Sequence, residues 1–336
     1  MSGTTFYVGI DLGTSRTSIA TSTGKRLTEV SCVGYAKDII TKKRFGKDYL
    51  LGEEALENRM GLNMVWPLGA GVLKEDEKSL EAASLILKHV VAKAIPDKKP
   101  EDKIFAAIGV PAEASNNSKK HILEIADGIF DKIMVVSEPF AVAYSLERFD
   151  ETLIVDIGAG SADLLRVCGA LPTPEDSITL ETAGNFLDAQ LEAGIKSINE
   201  NIQLTPQIVK KIKEKHGYVS ENSDPALVTL TVGGKPQDFD ITEVLREACL
   251  KLTDPICEAV QQLIATFDPE FQHRLRNNIV VAGGGSRLKG IDRAIEYSLK
   301  EYGGGYAECV QDAEFQGALG CLSMASELPD EYWDEL

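Results

Sequence analysis

The sequence contains no long hydrophobic run. No stretch of about 18 consecutive apolar residues occurs in the chain of 336 residues, so it predicts no transmembrane helix. Its first residues show neither the basic region nor the apolar stretch of a signal peptide, and we expect no signal peptide.

Basic residues are in the minority. The chain has 35 Lys and Arg against 52 Asp and Glu, which gives a net charge of −17. A field this negative argues against nucleic-acid binding, which requires a basic face. It also argues against direct binding to anionic membranes.

Cysteine and histidine are scarce and scattered. The four histidines and six cysteines form no CxxC pair and show no metal-ligand spacing. The cysteines are Cys32, Cys168, Cys249, Cys257, Cys309 and Cys321. We therefore expect unpaired thiols in a reducing cytoplasm rather than a disulfide framework or a zinc site.

Strand-like and helix-like runs alternate along most of the chain, which is typical of an α/β protein. At roughly 150 residues per domain the length suggests about two domains, each large enough to bury its own core. The periodicity predicts a helix over residues 118–130 and a long helix over 241–267 that is interrupted at Pro255. The last ten residues are predicted to form an acidic, partly loose tail after a closing helix over 315–326.

One motif occurs twice, 145 residues apart. Val8–Ser15 reads VGIDLGTS and Ile154–Ser161 reads IVDIGAGS, each an apolar strand followed by Asp and a glycine turn. Such a turn brings backbone N–H groups close to an anion. Asp11 and Asp156 would be costly to desolvate unless they face Mg²⁺ or its bound water. A single turn of this kind is more often an ordinary hairpin, but two copies predict two units that face each other across a cleft.

A third motif, Ile279–Gly290, places three glycines between a buried strand and a helix. The bare backbone leaves room for a flat ring, on which Arg287 can stack its guanidinium. Taken alone, such a run is also compatible with a plain loop.

The fourth motif is the carboxylate of Glu138, between a predicted strand over 133–136 and a helix that begins at Pro139. Glu138 can cap the helix N-terminus. Alternatively, it can orient a water molecule for attack on a γ-phosphate.

In their order and spacing, these four motifs resemble the actin, heat-shock-70 and sugar-kinase superfamily over essentially the whole chain. The resemblance implies an α/β actin-like ATPase fold, with two facing lobes of duplicated RNase-H-like units and a nucleotide in the cleft. It also implies ATP/ADP and Mg²⁺ as cofactors.

The resemblance implies a role for each motif residue. Asp11 and Asp156 would hold Mg²⁺ through water, and Glu138 would position the hydrolytic water. The phosphates would be bound by Gly13, Thr14, Ser15, Gly158, Ala159, Gly160 and Ser161, and the adenosine by Gly283, Gly284 and Arg287. Residues 208–215 resemble the actin helix that meets the adenosine, so Lys213 and Glu214 are candidate contacts, although a solvated basic face is an equal alternative.

Two departures from the family pattern bear on activity. The second loop continues as Ser161-Ala162 where two threonines are usual, so one hydroxyl contact is lost, and we expect slower hydrolysis or a looser loop. Ser18 stands where actin has a phosphate-binding lysine, which bacterial actins also lack.

The resemblance also implies a division into four subdomains. The lobe I core takes residues 1–32, 66–146 and 317–336, with a small subdomain at 33–65. The lobe II core takes residues 147–183 and 251–316, with a small subdomain at 184–250.

Size and several short stretches, including Val33–Asp38 and the ending ELPDEYW, are most similar to the magnetosome branch of the bacterial actins. This implies a cytoplasmic cytoskeletal filament, assembled from copies of this chain, that hydrolyses ATP and positions magnetosome organelles through adaptor proteins. Two alternatives stay open: a cell-shape actin at the membrane, and a non-polymerising chaperone or kinase of the same fold.

Overall fold

A computed structural model describes residues 3–219 and 224–335. The chain divides into two compact units. Unit 1 comprises residues 1–149 and 312–336, and unit 2 comprises residues 150–311. The chain therefore leaves unit 1, completes unit 2 and returns to unit 1.

Unit 1 is built on a five-stranded sheet. Its strands are β1 (Thr5–Leu12), β2 (Arg16–Thr21), β3 (Arg26–Val30), β9 (Lys103–Val110) and β10 (Lys132–Ser137). They lie in the order β10-β9-β1-β2-β3, in which β1, β9 and β10 are parallel and β1, β2 and β3 form an antiparallel meander. The carboxyl ends of the three parallel strands therefore meet at one edge of the sheet.

Smaller elements complete unit 1. A second sheet consists of β4 (Val33–Ala36), β5 (Tyr49–Leu51) and β6 (Leu62–Val65), and a short hairpin of β7 (Leu68–Gly69) and β8 (Val72–Leu73) follows. The helices are α1 (Ile39–Phe45), α2 (Gly52–Glu57), α3 (Glu77–Ala94), α4 (Asn116–Ala126), α5 (Glu138–Ser145), α11 (Gln316–Glu327) and α12 (Asp330–Glu335). A 3₁₀ turn covers Arg59–Gly61.

Unit 2 repeats the plan. Its main sheet has the order β13-β12-β11-β17-β18, and its small sheet has the order β14-β15-β16. The strands are β11 (Thr152–Ile157), β12 (Ala162–Val167), β13 (Ser177–Leu180), β14 (Ile202–Gln203), β15 (Leu227–Val232), β16 (Lys235–Asp240), β17 (Ile279–Ala282) and β18 (Ala307–Cys309). The helices are α6 (Gly184–Ile198), α7 (Pro206–His216), α8 (Thr242–Ala265), α9 (Gln272–Arg276) and α10 (Ile291–Ser298), with 3₁₀ turns at Pro174–Asp176, Gly284–Arg287 and Lys300–Tyr302.

The two main sheets share one arrangement: a meander on one side of the first strand and two parallel strands on the other. Each unit also has its own buried apolar core. The α/β fold with a duplicated unit, predicted from the repeated motif, is confirmed.

The prediction that Pro255 interrupts its helix is wrong, because α8 runs unbroken from Thr242 to Ala265. A proline inside a helix costs about 3 kcal/mol. Leu252, Ile256 and Val260, on one face, are all buried in the unit 2 core. Each such burial contributes about 1.5–3 kcal/mol, which outweighs the local penalty.

Helix α4 is shorter at its end than predicted. It begins after Ser115, whose Oγ accepts a hydrogen bond from the Ser118 N–H at 3.0 Å, and it ends at Ala126 instead of residue 130. Gly128, at φ +70°, has the left-handed conformation that commonly ends a helix. Ile129, expected on the inner helix face, follows the helix and is only half-buried.

The predicted loose tail is also wrong. Residues Asp330–Glu335 form α12, and the Trp333 side chain is 1 % exposed. Burial of one large aromatic side chain orders a segment that its acidic composition alone would leave in solvent. Among the described residues no helix is both long and apolar enough to cross a membrane.

Candidate nucleotide site

The first predicted phosphate loop joins β1 to β2. Asp11 is the last but one residue of β1, and the Gly13 N–H donates to the Arg16 carbonyl at 3.1 Å to close the turn. Burial raises the pKa of the Asp11 carboxyl from 3.8 to about 6. Burial penalises the charged carboxylate, so this position is suited to a nearby cation.

The rest of this loop is held by neighbouring backbone and hydroxyl groups. The Thr14 Oγ1 accepts a hydrogen bond from the Gly71 N–H at 3.0 Å. Ser31 holds the loop from the other side, with its Oγ donating to the Gly13 carbonyl at 2.7 Å and its N–H to the Ser15 carbonyl at 3.0 Å. The loop that follows Asp11 is thus fixed by contacts within unit 1.

Glu138 is the first residue of α5, directly after β10. Pro139 lies in the first helical turn, as predicted, where its missing N–H leaves no intrahelical bond unmade. Glu138 is half-buried, and its Cγ lies 3.0 Å from the place where a Cβ at Gly109 would stand. Because Gly109 is the β9 partner of Asp11, Glu138 and Asp11 belong to the same edge of the sheet.

The second predicted phosphate loop joins β11 to β12. The Gly158 N–H donates to the Ser161 carbonyl at 2.9 Å. The N-terminus of α6 rests on the loop, because the N–H groups of Gly184 and Asn185 donate to the carbonyls of Gly158 and Ala159 at 3.1 and 2.8 Å. Gly160 is buried within this turn.

Ser161, predicted to bind phosphate, directs its hydroxyl to a carboxylate. Its Oγ donates to Asp163 Oδ2 at 2.8 Å, and the Thr179 Oγ1 donates to Asp163 Oδ1 at 2.6 Å. Asp163 is 2 % exposed and pairs with Asp156 across the β11–β12 ladder. The sequence analysis missed Asp163; its signal is the hairpin register, which places the two aspartates opposite one another.

The predicted adenosine segment lies against this second loop. Gly283 has φ +70°, and a Cβ there would stand 2.3 Å from Asp156 Oδ1, so only glycine fits. Gly284 faces open space, and Arg287 is exposed at the end of the 3₁₀ turn. Unit 2 therefore brings Asp156 and the glycine segment into direct contact.

Lys213 also reaches this region from α7. Its Nζ donates to the Gly184 carbonyl at 2.9 Å and lies 2.9 Å from Asp188 Oδ1. Glu214 is exposed and lies 4.0 Å from Lys210 Nζ. The structure thus brings Lys213 to the N-terminus of α6, whereas Glu214 is exposed and makes no comparable contact with α6 among the hydrogen bonds and ion pairs described.

The donor set is compatible with a magnesium ion held through water. Among the described residues, no three His, Cys, Asp or Glu side chains converge to hold a metal ion. Mg²⁺ keeps several water ligands and is commonly held by one or two carboxylates together with substrate phosphates. Asp11 in unit 1 and Asp156 in unit 2 are each a single carboxylate at a predicted phosphate loop, so each by itself suits such a role.

Two main sheets of the same strand order, each with an aspartate and a glycine-containing hairpin, define an actin-like fold. The model of the MreB/Mbl protein family matches residues 5–324. The chain is 40% identical over 331 residues to the actin-like protein MamK of Magnetospirillum gryphiswaldense, covering 98% of this chain and 91% of that protein. The chain belongs to the MreB/Mbl family of actin-like proteins.

Solved structures agree with this assignment. A MamK double helical filament matches with a TM-score of 0.93 at 39% identity, over 97% of this chain and 100% of the other. A non-polymerising MamK mutant bound to AMPPNP matches with a TM-score of 0.74 at 38% identity, again over 97% and 100%.

Proposed function

We propose that this protein binds and hydrolyses ATP and assembles into actin-like filaments in the cytoplasm. The observation that carries the proposal is the contact between Gly283 and Asp156, which joins the adenosine segment to a phosphate loop within unit 2. The AMPPNP bound to a MamK mutant of the same fold supports nucleotide as the ligand.

Each loop residue has a role in this proposal. Gly13, Thr14, Ser15, Gly158, Ala159 and Gly160 bind phosphate, chiefly through backbone N–H groups. Ser161 supports its loop through Asp163. The adenosine and its ribose are contacted by Gly283, Gly284, Arg287, Lys213 and Glu214.

Asp11 and Asp156 are the residues that would hold Mg²⁺, through water. When bound, the ion neutralises charge on the phosphates. Glu138 orients the water that attacks the γ-phosphate, since its carboxylate lies at the same sheet edge as Asp11. In this proposal Glu138→Ala slows phosphate release and leaves ATP-driven assembly intact.

Filament assembly is proposed from the MamK filament that this chain matches over 97% of its length. Repeated head-to-tail contacts that do not close into a ring generate such a polymer. ATP favours the assembling state, and hydrolysis weakens the contacts because the two nucleotides have different affinities for the two states.

The cellular role proposed is the positioning of magnetosome organelles through adaptor proteins, as the relationship to MamK suggests. Expression of the chain in a Magnetospirillum gryphiswaldense strain that lacks MamK tests this role. Restored organelle positioning is expected, with the Asp156→Ala variant as the negative control. Filaments that form without restoring the organelles would refute the magnetosome role while leaving assembly intact.

The first experiment is ultracentrifuge pelleting with Mg-ATP, with Mg-ADP and without nucleotide, while phosphate release is followed in parallel. We expect a pellet with ATP that is lost as phosphate appears. ATP turnover without a pellet at any concentration would instead indicate a chaperone or kinase. Sedimentation with anionic liposomes would indicate a cell-shape actin at the membrane.

A further inference from the structure

A glycine, Gly109, stands between Asp11 and Glu138, the two carboxylates predicted for the site in unit 1. In the parallel ladder, Gly109 of β9 pairs with Asp11 of β1 on one side and with Val136 of β10 on the other. Its neighbours in the strand, Ile108 and Val110, are both buried apolar residues. The gap left by this one missing side chain therefore lies directly beside the sheet edge that carries Asp11 and Glu138.

The gap is occupied from two sides. A Cβ at Gly109 would stand 3.0 Å from Glu138 Cγ and 3.6 Å from Cys321 Sγ. Carbon atoms attract best at about 3.5–4.0 Å. The first distance is therefore tight, and Glu138 would have to shift by a few tenths of an ångström, whereas the second is ordinary contact. The stem of Glu138 thus uses the space above the bare backbone.

Cys321 closes the gap from α11. Its side chain is fully buried, in a cluster that includes Ala107, Val136 and Ala141. Helix α11 already packs closely on α5, because a Cβ at Gly320 would stand 1.7 Å from the Ala141 carbonyl oxygen. A methyl group added at Gly109 would therefore press on the stem of Glu138 from one side while Cys321 closes the other.

We propose that Gly109 is a positioning residue for hydrolysis, since its bare backbone, closed over by Cys321, fixes where the Glu138 carboxylate stands. The inference rests on the proposed function, in which Glu138 orients the attacking water. A misplacement of about 1 Å in such a group costs on the order of 100-fold in rate, so a shift of a few tenths of an ångström should cost roughly threefold or more.

The test is a double-mutant cycle of Gly109→Ala and Glu138→Ala, with phosphate release, AMPPNP affinity and melting temperature measured for all four proteins. We expect Gly109→Ala to lower kcat by about threefold or more, with AMPPNP affinity within about twofold of the parent. In the Glu138→Ala background the same substitution should change kcat by less than about twofold, because no Cγ remains to be displaced.

The matched control is Gly61→Ala. A Cβ at Gly61 would stand 3.2 Å from Thr41 Cγ2, a tight contact remote from the sheet edge. The Gly61→Ala variant should leave kcat and AMPPNP affinity within about twofold of the parent.

Three results would overturn the proposal. One is an unchanged kcat in folded Gly109→Ala. Another is a loss of kcat on Gly109→Ala that is equally large in the parent and in the Glu138→Ala background. If Gly109→Ala does not fold, the double variant should regain the lost melting temperature, and failure to regain it is the third. If the parent protein hydrolyses no ATP, the proposed function is wrong, whatever the variants do. The melting temperatures of the four proteins then still test whether Glu138 packs on Gly109.

Discussion

The ring of Trp333 packs against the ring of Phe105 with their centroids 5.1 Å apart and their planes at 47°. Phe105 in turn meets Tyr7 edge-on at 5.9 Å. The last described helix, α12, is therefore anchored on β9 and β1, two strands that end at the predicted nucleotide site.

Trp333→Ala should destabilise unit 1 by about 3–5 kcal/mol, because it removes a fully buried aromatic side chain and leaves a cavity. Urea unfolding followed by circular dichroism measures the loss. Tyr332→Ala, at a side chain 52% exposed on the same helix, is the control and should cost less than about 0.5 kcal/mol. Equal losses in the two variants would contradict the docking of α12.

Glu29 ties three elements of unit 1 together. Its carboxylate accepts hydrogen bonds from Lys93 Nζ at 2.6 Å and from the Glu53 N–H at 3.0 Å, and it lies 3.3 Å from His89 Nε2. Burial alone would raise the pKa of Glu29, but these donors, with the Val30 N–H and the charge of Lys93, lower it below 4.5 overall.

The lowered pKa of Glu29 sets the sign of a pH effect. As pH falls, Glu29 becomes protonated in the unfolded chain before it does in the folded protein. The stability that the Glu29 carboxylate contributes is therefore fully present above about pH 4.5 and is lost as pH drops through the pKa of Glu29 in the folded protein. Glu29→Gln should cost about 1.5–3 kcal/mol at pH 7 and show a shallower acid loss than the parent. Melting temperatures at pH 3–7 measure both, with the exposed Glu53→Gln as control. Parallel pH curves for parent and Glu29→Gln would exclude this role.

Lys213 is a predicted adenosine contact that the structure brings to the N-terminus of α6, which rests on the second loop. Lys213→Met should weaken ATP affinity by about tenfold or more, since a charge-assisted hydrogen bond to the nucleotide contributes about 1.4 kcal/mol or more. Lys211→Met, at an exposed position on the same helix, should leave affinity unchanged. Titration with a fluorescent ATP analogue compares the two, and equal affinities would remove Lys213 from the site.

Asp163 and Asp238 offer a matched comparison inside unit 2. Each accepts a hydrogen bond from its cross-strand threonine, Thr179 at 2.6 Å and Thr229 at 2.7 Å, but Asp163 is buried and Asp238 is exposed. Asp163→Asn should cost about 1.5–3 kcal/mol and slow phosphate release, because Ser161 and Thr179 then share one oxygen.

Asp238→Asn should cost less than about 1 kcal/mol, because water replaces the lost partner at an exposed site. Urea unfolding of both variants, with phosphate release measured beside it, makes the comparison. A smaller loss for Asp163→Asn than for Asp238→Asn would show that the buried network does not support the second loop.

Local periodicity predicted most elements because their apolar patterns are short and strong. The strands before Asp11 and Asp156 and the parallel strand that ends at Val110 all form nearly where the pattern places them. The helix through Pro255 was mispredicted because local propensity includes only the cost of a proline inside a helix. Burial of the neighbouring apolar side chains in the core outweighs that cost and keeps the helix continuous. Asp163 was missed because its importance depends on a cross-strand neighbour that no local pattern shows.

Local patterns in the sequence were enough to predict the α/β class and the duplicated unit, because repeated motifs and alternating apolar residues are local properties. Only the tertiary structure decided that Trp333 docks on Phe105, that Lys213 reaches Gly184 and that Gly109 lies against Glu138. Those contacts join residues 29 to 228 positions apart. They depend on strand register and helix packing, which the whole chain settles together.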